Sequence, residues 1–161
     1  NWFKLACPDE DQNEIHNNEI FIEKFKKIFI DKIKEIPKKL KINKQNYTII
    51  AAFDCSRKNI WRNQYYDNYK TNRVQDDNFM GSKFFEIGKK ILLDENIMTI
   101  EYDKLEADDC IAILSKELIN NKNLDIKNIY IIANDMDYLQ LCCENIKVLN
   151  LKYNYLNENK N

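Results

Sequence analysis

At 161 residues, 44% of them hydrophobic, the chain is long enough to bury a core of its own and too apolar for a disordered segment. Its 25 basic and 26 acidic side chains leave a formal charge of −1, which excludes a global electrostatic footprint for nucleic acid, so any such attraction has to be local. Five cysteines without C-x-x-C spacing and a single histidine, His16, argue against a zinc site, and with neither an 18-residue apolar run nor a basic-then-apolar leader in view the expectation is an intracellular chain with free thiols.

In chain order, "NWFKLACPDE" opens on Asn1 rather than Met, as though an earlier element had been cut away. Phe21, Phe25, Ile28, Phe29, Ile33 and Ile36 recur at steps of three and four, which predicts an amphipathic helix over 18–36 that stops at Pro37. The run "YTIIAAFD" (47–54) is apolar and β-rich and ends in an acid, as a strand buried on both faces would. A second helix is expected over 79–93 with Phe84, Ile87, Gly88 and Ile91 inward, then a strand at 97–102, a helix at 105–119, a strand at 128–134, a short helix and a strand at 146–151. Strands alternating with helices imply parallel pairing through right-handed crossovers. The expectation is therefore one α/β domain spanning 1–161, three layers deep, with a mainly parallel central sheet.

In such sheets ligands gather at the carboxyl ends of the strands, and there this chain supplies acids three times. Asp54 closes the first strand, Glu106, Asp108 and Asp109 open the helix after the second, and Asp135 and Asp137 close the third. Ala107, Ile111, Leu114 and Leu118 form the core stripe of the intervening helix, which leaves its first-turn acids free to face the crevice. Carboxylates brought this close raise one another's pKa unless a cation compensates, and hard oxygen donors without Cys or His select Mg²⁺ or Mn²⁺. Two such ions roughly 4 Å apart are the usual device for phosphodiester hydrolysis. Each acid also has a structural reading on its own: first-turn acids complement the helix dipole, an Asp after a strand makes a turn, and Asp137 can serve as an N-cap. The convergence of all three groups on one sheet edge is what favours a metal site over three separate caps.

A second constellation, "SRKNIWRNQYYDNYKTNR" (56–73), sets Arg57, Lys58, Arg62, Lys70 and Arg73 against the single acid Asp67. Read as a helix it places Arg62, Tyr66, Lys70 and Arg73 on one face and Trp61, Tyr65 and Tyr69 on the adjacent one. Cations hold phosphates and aromatic rings stack on unpaired bases, which is what a single-strand groove requires. The bland alternative is a solvated basic face whose aromatics pack on the core. Its start only two residues after Asp54 favours the functional reading.

"FDCSRKNIWRNQYYDNYKTNR", "YDKLEADDCIAIL" and "IIANDMDYLQL", in this order and spacing, resemble the flap endonuclease family of structure-specific 5′ nucleases, in particular its phage and viral members with 5′→3′ exonuclease activity. The resemblance covers about residues 47–151. It implies a PIN-like, resolvase-type domain that hydrolyses DNA, and often RNA, near 5′ flaps and single-strand/duplex junctions, as a monomer away from membranes, with two Mg²⁺ or Mn²⁺ ions in the intact parent. By position, Asp54, Glu106, Asp108, Asp135 and Asp137 match metal ligands and Asp109 matches an additional acid of bacterial and phage members. Lys70 and Arg73 match the arch cations on the reacting phosphate, Arg62 an arch contact to DNA, and Gln140 a Gln supporting the acidic loop. The resemblance also implies in-line hydrolysis that leaves a 5′-phosphate, with no side chain acting as nucleophile.

Departures from the pattern set further expectations. The family's first strand, with its ligand Asp, has no counterpart ahead of Asn1, and its downstream helical hairpin and further Asp pair have no match before Asn161, so the chain is expected to be truncated at both ends and impaired in cleavage while its parent is active. Asn134 and Cys55 stand where Gly is usual. A PIN-type ribonuclease without the arch and a module that binds nucleic acid without cutting are the two competing readings; a receiver domain lacks support, since its acid pair and late lysine are not found.

Overall fold

The computed structural model describes residues 17–43, 46–66, 69–70 and 81–156, so the opening stretch "NWFKLACPDE" lies outside the described residues. The backbone packs as two compact units, Asn1–Ile49 with Lys70–Met98, and Ile50–Tyr69 with Thr99–Asn161.

The first unit is built on two helices. α1 spans Glu19–Lys39, and its N-cap Asn18 accepts a hydrogen bond from the Phe21 amide at 3.0 Å, satisfying one of the amides that a helix start leaves unpaired. The expected stop at Pro37 is not where the helix ends: Pro37 is accommodated in the last turn, and the chain closes two residues later in a Schellman arrangement. The Ile42 amide donates to the Pro37 carbonyl at 2.8 Å and the Lys41 amide to Lys38 at 3.2 Å, with Lys41 at φ 54°. α2, Gly81–Asp94, ends in the same way, Ile97 donating to Leu92 at 2.8 Å and Asn96 to Leu93 at 3.0 Å, with Asn96 at φ 55°. Glycine is the usual residue for that left-handed position; a chain with only two glycines uses lysine and asparagine instead.

The stripes meet as their spacing demands. Phe84 of α2 packs edge-on against Phe21 and Phe25 of α1, with ring centroids 5.6 and 5.1 Å apart, and Phe25 stacks on Phe29. Gly88, Ile91 and Leu92 are buried, whereas Ile28 sits at the edge of its stripe, 41% exposed.

In the second unit β1 (Ile50–Ala52) neighbours β2 (Met98–Ile100), and β3 (Ile129–Ile132) runs parallel to β4 (Ile146–Leu149) with Ile129 opposite Ile146 and Ile132 opposite Leu149. Among the described residues these form two two-stranded sheets in place of one continuous sheet. α3, Ala107–Asn120, packs against β1 and against the 3-10 segment Met136–Leu141. Its most deeply buried positions are Cys110 and Ser115, small residues that let the helix approach closely, with Ile111 and Ile119 packing on Ile131, Ile146 and Val148. The stripe read from the sequence is thus rotated slightly, toward the residues with least bulk. Val148 and Leu149 are fully buried and form the floor on which the acid-bearing loops stand.

A methyl group at Gly88 would lie 3.6 Å from the Phe29 ring, an ordinary contact in an otherwise regular helix. Gly88→Ala is therefore expected to stabilise the protein by about 1 kcal/mol through lower backbone entropy in the unfolded chain. Urea unfolding measures this; a lowered midpoint would mean that the α1–α2 contact is tighter than described.

Candidate acidic metal centre

Two segments bring the acids together by running along each other. Beyond β1 and β2 the Phe53 amide donates to Ile100 at 2.9 Å, Cys55 to Leu105 at 3.0 Å and Trp61 to Lys104 at 2.9 Å, while the Asn59 side chain donates to Asp103 at 3.2 Å. Lys104 takes φ 68°, the left-handed turn that sends its carbonyl to Trp61. Where part of the expected helix would run, the described residues form the 3-10 turns Arg57–Asn59 and Trp61–Gln64. Trp61 gives its amide to Lys104, while Asn59, Asn63 and Tyr65 each bond three residues back, so the expected shared face of Arg62, Tyr66 and Lys70 is not realised there.

The same approach places Asp54 at the start of α3, where Asp54 Oδ1 accepts from the Ala107 amide at 2.7 Å. Asp109 reaches back to the Glu106 amide at 3.1 Å, the reciprocal half of a capping box. Asp135 is the N-cap of the segment after β3, its Oδ1 accepting from the Asp137 amide at 2.9 Å, so the capping role falls to Asp135 and not to Asp137. The structural and functional readings of these acids therefore coexist: each cap uses one oxygen and fixes where the other can point.

Arg62 lies among the carboxylates. Nη1 donates to Asp109 Oδ2 at 2.7 Å and to Glu106 Oε2 at 2.9 Å, and Nη2 donates to Asp109 Oδ1 at 2.8 Å. Trp61 Nε1 donates to Asp109 at 3.2 Å, the Tyr69 hydroxyl to Glu106 at 2.7 Å, and the guanidinium carbon stands 4.8 Å over the Trp61 ring and 5.8 Å from that of Tyr69. Glu106 is 3% exposed, and the side chains of Arg62 and Asp109 are 22% and 16% exposed. The hydrogen bonds to Asp109 hold the guanidinium protonated well above even its ordinary range. Burial pushes the Asp109 carboxyl up, but hydrogen bonds from Arg62, the Glu106 amide and Trp61 outweigh it and keep it below the usual value. Asp108 goes the other way: burial, reinforced by the charges of Asp109 and Glu106, holds its carboxyl above the usual value despite the Asp109 amide on its Oδ1.

Glu106, Asp108 and Asp109 each offer an oxygen within 4.8 Å of the others, and among the described residues neither Asp54, Asp135 nor Asp137 completes such a trio. Two of the outer acids, Asp54 and Asp135, act electrostatically on one phenol together with Asp108. The half-buried Tyr138 phenol is pushed up to about 12 by burial and by the charges of Asp108, Asp135 and Asp54, one from each strand-end group. The donors are all oxygens, and an undercompensated carboxylate sits among them, so the residues present fit a hard divalent cation such as Mg²⁺ or Mn²⁺. Cys55 and Cys110, buried close by, have thiols pushed up by burial and serve as packing.

Of the expected nucleic-acid contacts, Arg62 is turned to the acids, Tyr69 is anchored on Glu106, Lys70 follows in a left-handed conformation at φ 55°, and Arg73 lies outside the described residues. Sequence reasoning missed Trp61 as a carboxylate donor and Tyr138 as the phenol facing the acids. The adjacency of an indole N–H to Arg62 was a signal for the first; Tyr138 reads only as one more apolar position after Asp137.

These features define a resolvase-like α/β domain with an acidic centre at its strand ends. The chain belongs to the family described as 5′-3′ exonuclease, N-terminal resolvase-like domain, which matches residues 18–161. No curated protein matches by sequence. Among solved structures the chain is similar to the D15 protein of bacteriophage T5 co-crystallised with metal ions (20% identity, 90% of this chain and 54% of that one, TM-score 0.64). It is similar also to the T5 5′-exonuclease with zinc bound (16%, 96% and 52%, 0.61). A third match is the T5 D15 flap endonuclease in a pseudo-enzyme-product complex with DNA and metal ions (18%, 81% and 48%, 0.59). The chain spans about half the length of these proteins. No helix among the described residues is long and apolar enough to cross a membrane.

Arg62→Met leaves Glu106 and Asp109 buried without their cation and is expected to cost about 3 kcal/mol in urea unfolding at neutral pH. A carboxyl whose folded pKa is depressed adds stability that is complete above its unfolded value and disappears as pH falls through the folded one. Wild type should therefore lose stability on the acid side, below about pH 4, more steeply than Arg62→Met. Parallel acid limbs would show that the pair contributes nothing.

Proposed function

We propose that the intact protein is a 5′ nuclease that hydrolyses phosphodiester bonds of DNA at 5′ flaps and single-strand/duplex junctions, and those of RNA–DNA hybrids more weakly, as a monomer using two Mg²⁺ or Mn²⁺ ions. The observation that supports this reading is the trio of Glu106, Asp108 and Asp109, each offering a carboxylate oxygen within 4.8 Å of the others. Family membership over residues 18–161 and the presence of metal ions and DNA in the T5 structures support it.

In this reading Asp54, Glu106, Asp108, Asp135 and Asp137 hold the ions, with Asp109 beside them. Divalent ions bound there supply an acidified water and counter-charge for the phosphate as it reacts. The remaining tasks fall to the chain. Burial of Glu106 and the capping bonds on Asp54 and Asp135 fix the carboxylates in advance, so that little reorganisation is needed when phosphate arrives. Lys70 and Arg73 hold the phosphate, and exposed Tyr65 and Tyr66 offer faces on which unpaired bases stack. Arg62, committed to carboxylates, is assigned to the acidic centre and not to the DNA backbone.

Asp135→Asn and Asp137→Asn should each lower Mn²⁺-dependent cleavage of a 5′-flap duplex by about 100-fold or more while the flap is still bound. Unchanged turnover in a gel-based cleavage assay removes both residues from the mechanism. Preferential cutting of unstructured RNA would favour a PIN-type ribonuclease, and binding without cleavage of either substrate a nucleic-acid-binding module.

A further inference from the structure

Asp109 stands out among the acids because both of its oxygens are taken. Oδ1 accepts from Arg62 Nη2 at 2.8 Å, and Oδ2 accepts from Arg62 Nη1 at 2.7 Å, Trp61 Nε1 at 3.2 Å and the Glu106 amide at 3.1 Å. A carboxylate oxygen accepts about two bonds, so Oδ2 is fully used and Oδ1 is held on one side by the guanidinium. Its neighbour Asp108 is differently placed: among the described residues its hydrogen bonding is confined to Oδ1, which accepts from the Asp109 amide at 2.7 Å. A fork-to-fork guanidinium–carboxylate pair is the geometry that fixes orientation most firmly, and this one has a third arm, since Arg62 Nη1 also donates to Glu106.

We propose that Arg62 and Asp109 are a positioning pair standing outside the ligand set: Asp109 anchors the guanidinium, the guanidinium holds Glu106 beside Asp108, and Trp61 and Tyr69 fasten the segment that ends at Lys70 to the same two acids. This rests on the proposed metal-dependent function for its purpose, though the pair itself rests only on the geometry. It moves Asp109 from the set of expected ligands to the scaffold beneath them, and it gives Trp61 and Tyr69 a task that precedes any contact with bases. The segment carrying the aromatic residues is then set by the acidic centre, so both are built by one network.

The test uses the full chain in a Trp2→Phe background, leaving Trp61 as the sole indole reporter. Mn²⁺ binding is followed by electron paramagnetic resonance, and Trp61 by its emission. Asp108→Asn should weaken Mn²⁺ binding by about tenfold or more and leave emission in place, whereas Asp109→Asn should weaken it by less than about threefold and shift emission to the red as far as Arg62→Met does. The double variant Arg62→Met/Asp109→Asn should be no worse than either single one, because the two act as a unit. Arg62→Lys, which keeps the charge and loses the fork, should leave emission shifted. Asp109→Asn preserves the side-chain shape and carries the test if Arg62→Met does not fold. The proposal is overturned if Asp109→Asn weakens Mn²⁺ as much as Asp108→Asn with emission unmoved, or if the effects of the two single variants add. An intact wild-type protein that binds no Mn²⁺ defeats the metal-dependent function instead, and the pair is then decided by emission and the double variant.

Discussion

The second unit is organised around one partly buried guanidinium, that of Arg62. Glu106, the buried N-cap, and Asp109, partly buried in the first turn of α3, bring two like charges together that repel unless a cation lies between them. Arg62 supplies it, and can do so only because the backbone ladder from Phe53 to Trp61 delivers it to that point. The ladder and the ion pair are thus mutually required: without the first the guanidinium has no route to the acids, and without the second the segment beyond β1 ends against uncompensated charge.

That arrangement also divides the acids by environment. Asp109 is satisfied and lies low, Asp108 is crowded and lies high, and Asp54 and Asp135 each spend one oxygen on a cap. Three carboxylates, those of Glu106, Asp108 and Asp109, share the single cation Arg62, and burial with the charges of its neighbours holds Asp108 above its usual value. A divalent cation is the species that such a surplus favours, and this distinguishes the cluster from a set of helix caps that happen to be neighbours. The T5 proteins, at 16–20% identity, establish the fold alone.

Most of the scaffold was legible in the sequence. The apolar spacing of Phe21, Phe25 and Phe29 and of Gly88 and Ile91 located the two helices of the first unit, and runs such as "YIIAN" located the strands, because burial on one face imposes a period that survives any detail. What misled was local. Pro37 reads as a stop, yet a proline in a last turn forfeits one hydrogen bond and the Schellman closure at Lys41 restores the ending. The segment 56–73 reads as a helix on charge and aromatic spacing, but its described part turns as 3-10 segments, with the Trp61 amide bonded to Lys104 some 40 residues away, which no local pattern reports. Arg62 exposes a deeper limit. A guanidinium suits a phosphate and a carboxylate equally, and one-dimensional order does not say which it meets.

Asn134 has a last consequence. Where glycine is customary, its side-chain oxygen accepts from the Leu151 amide at 3.1 Å, and the adjacent Ala133 amide donates to Leu149. The loop bearing Asp135 is thereby hitched to the turn after β4, which is closed in turn by Asn150 accepting from Lys152 and Asn154. Lengthening or reshaping that small surface turn would tug on the acidic loop through the Asn134 side chain, so a turn distant in sequence becomes a lever on where Asp135 sits.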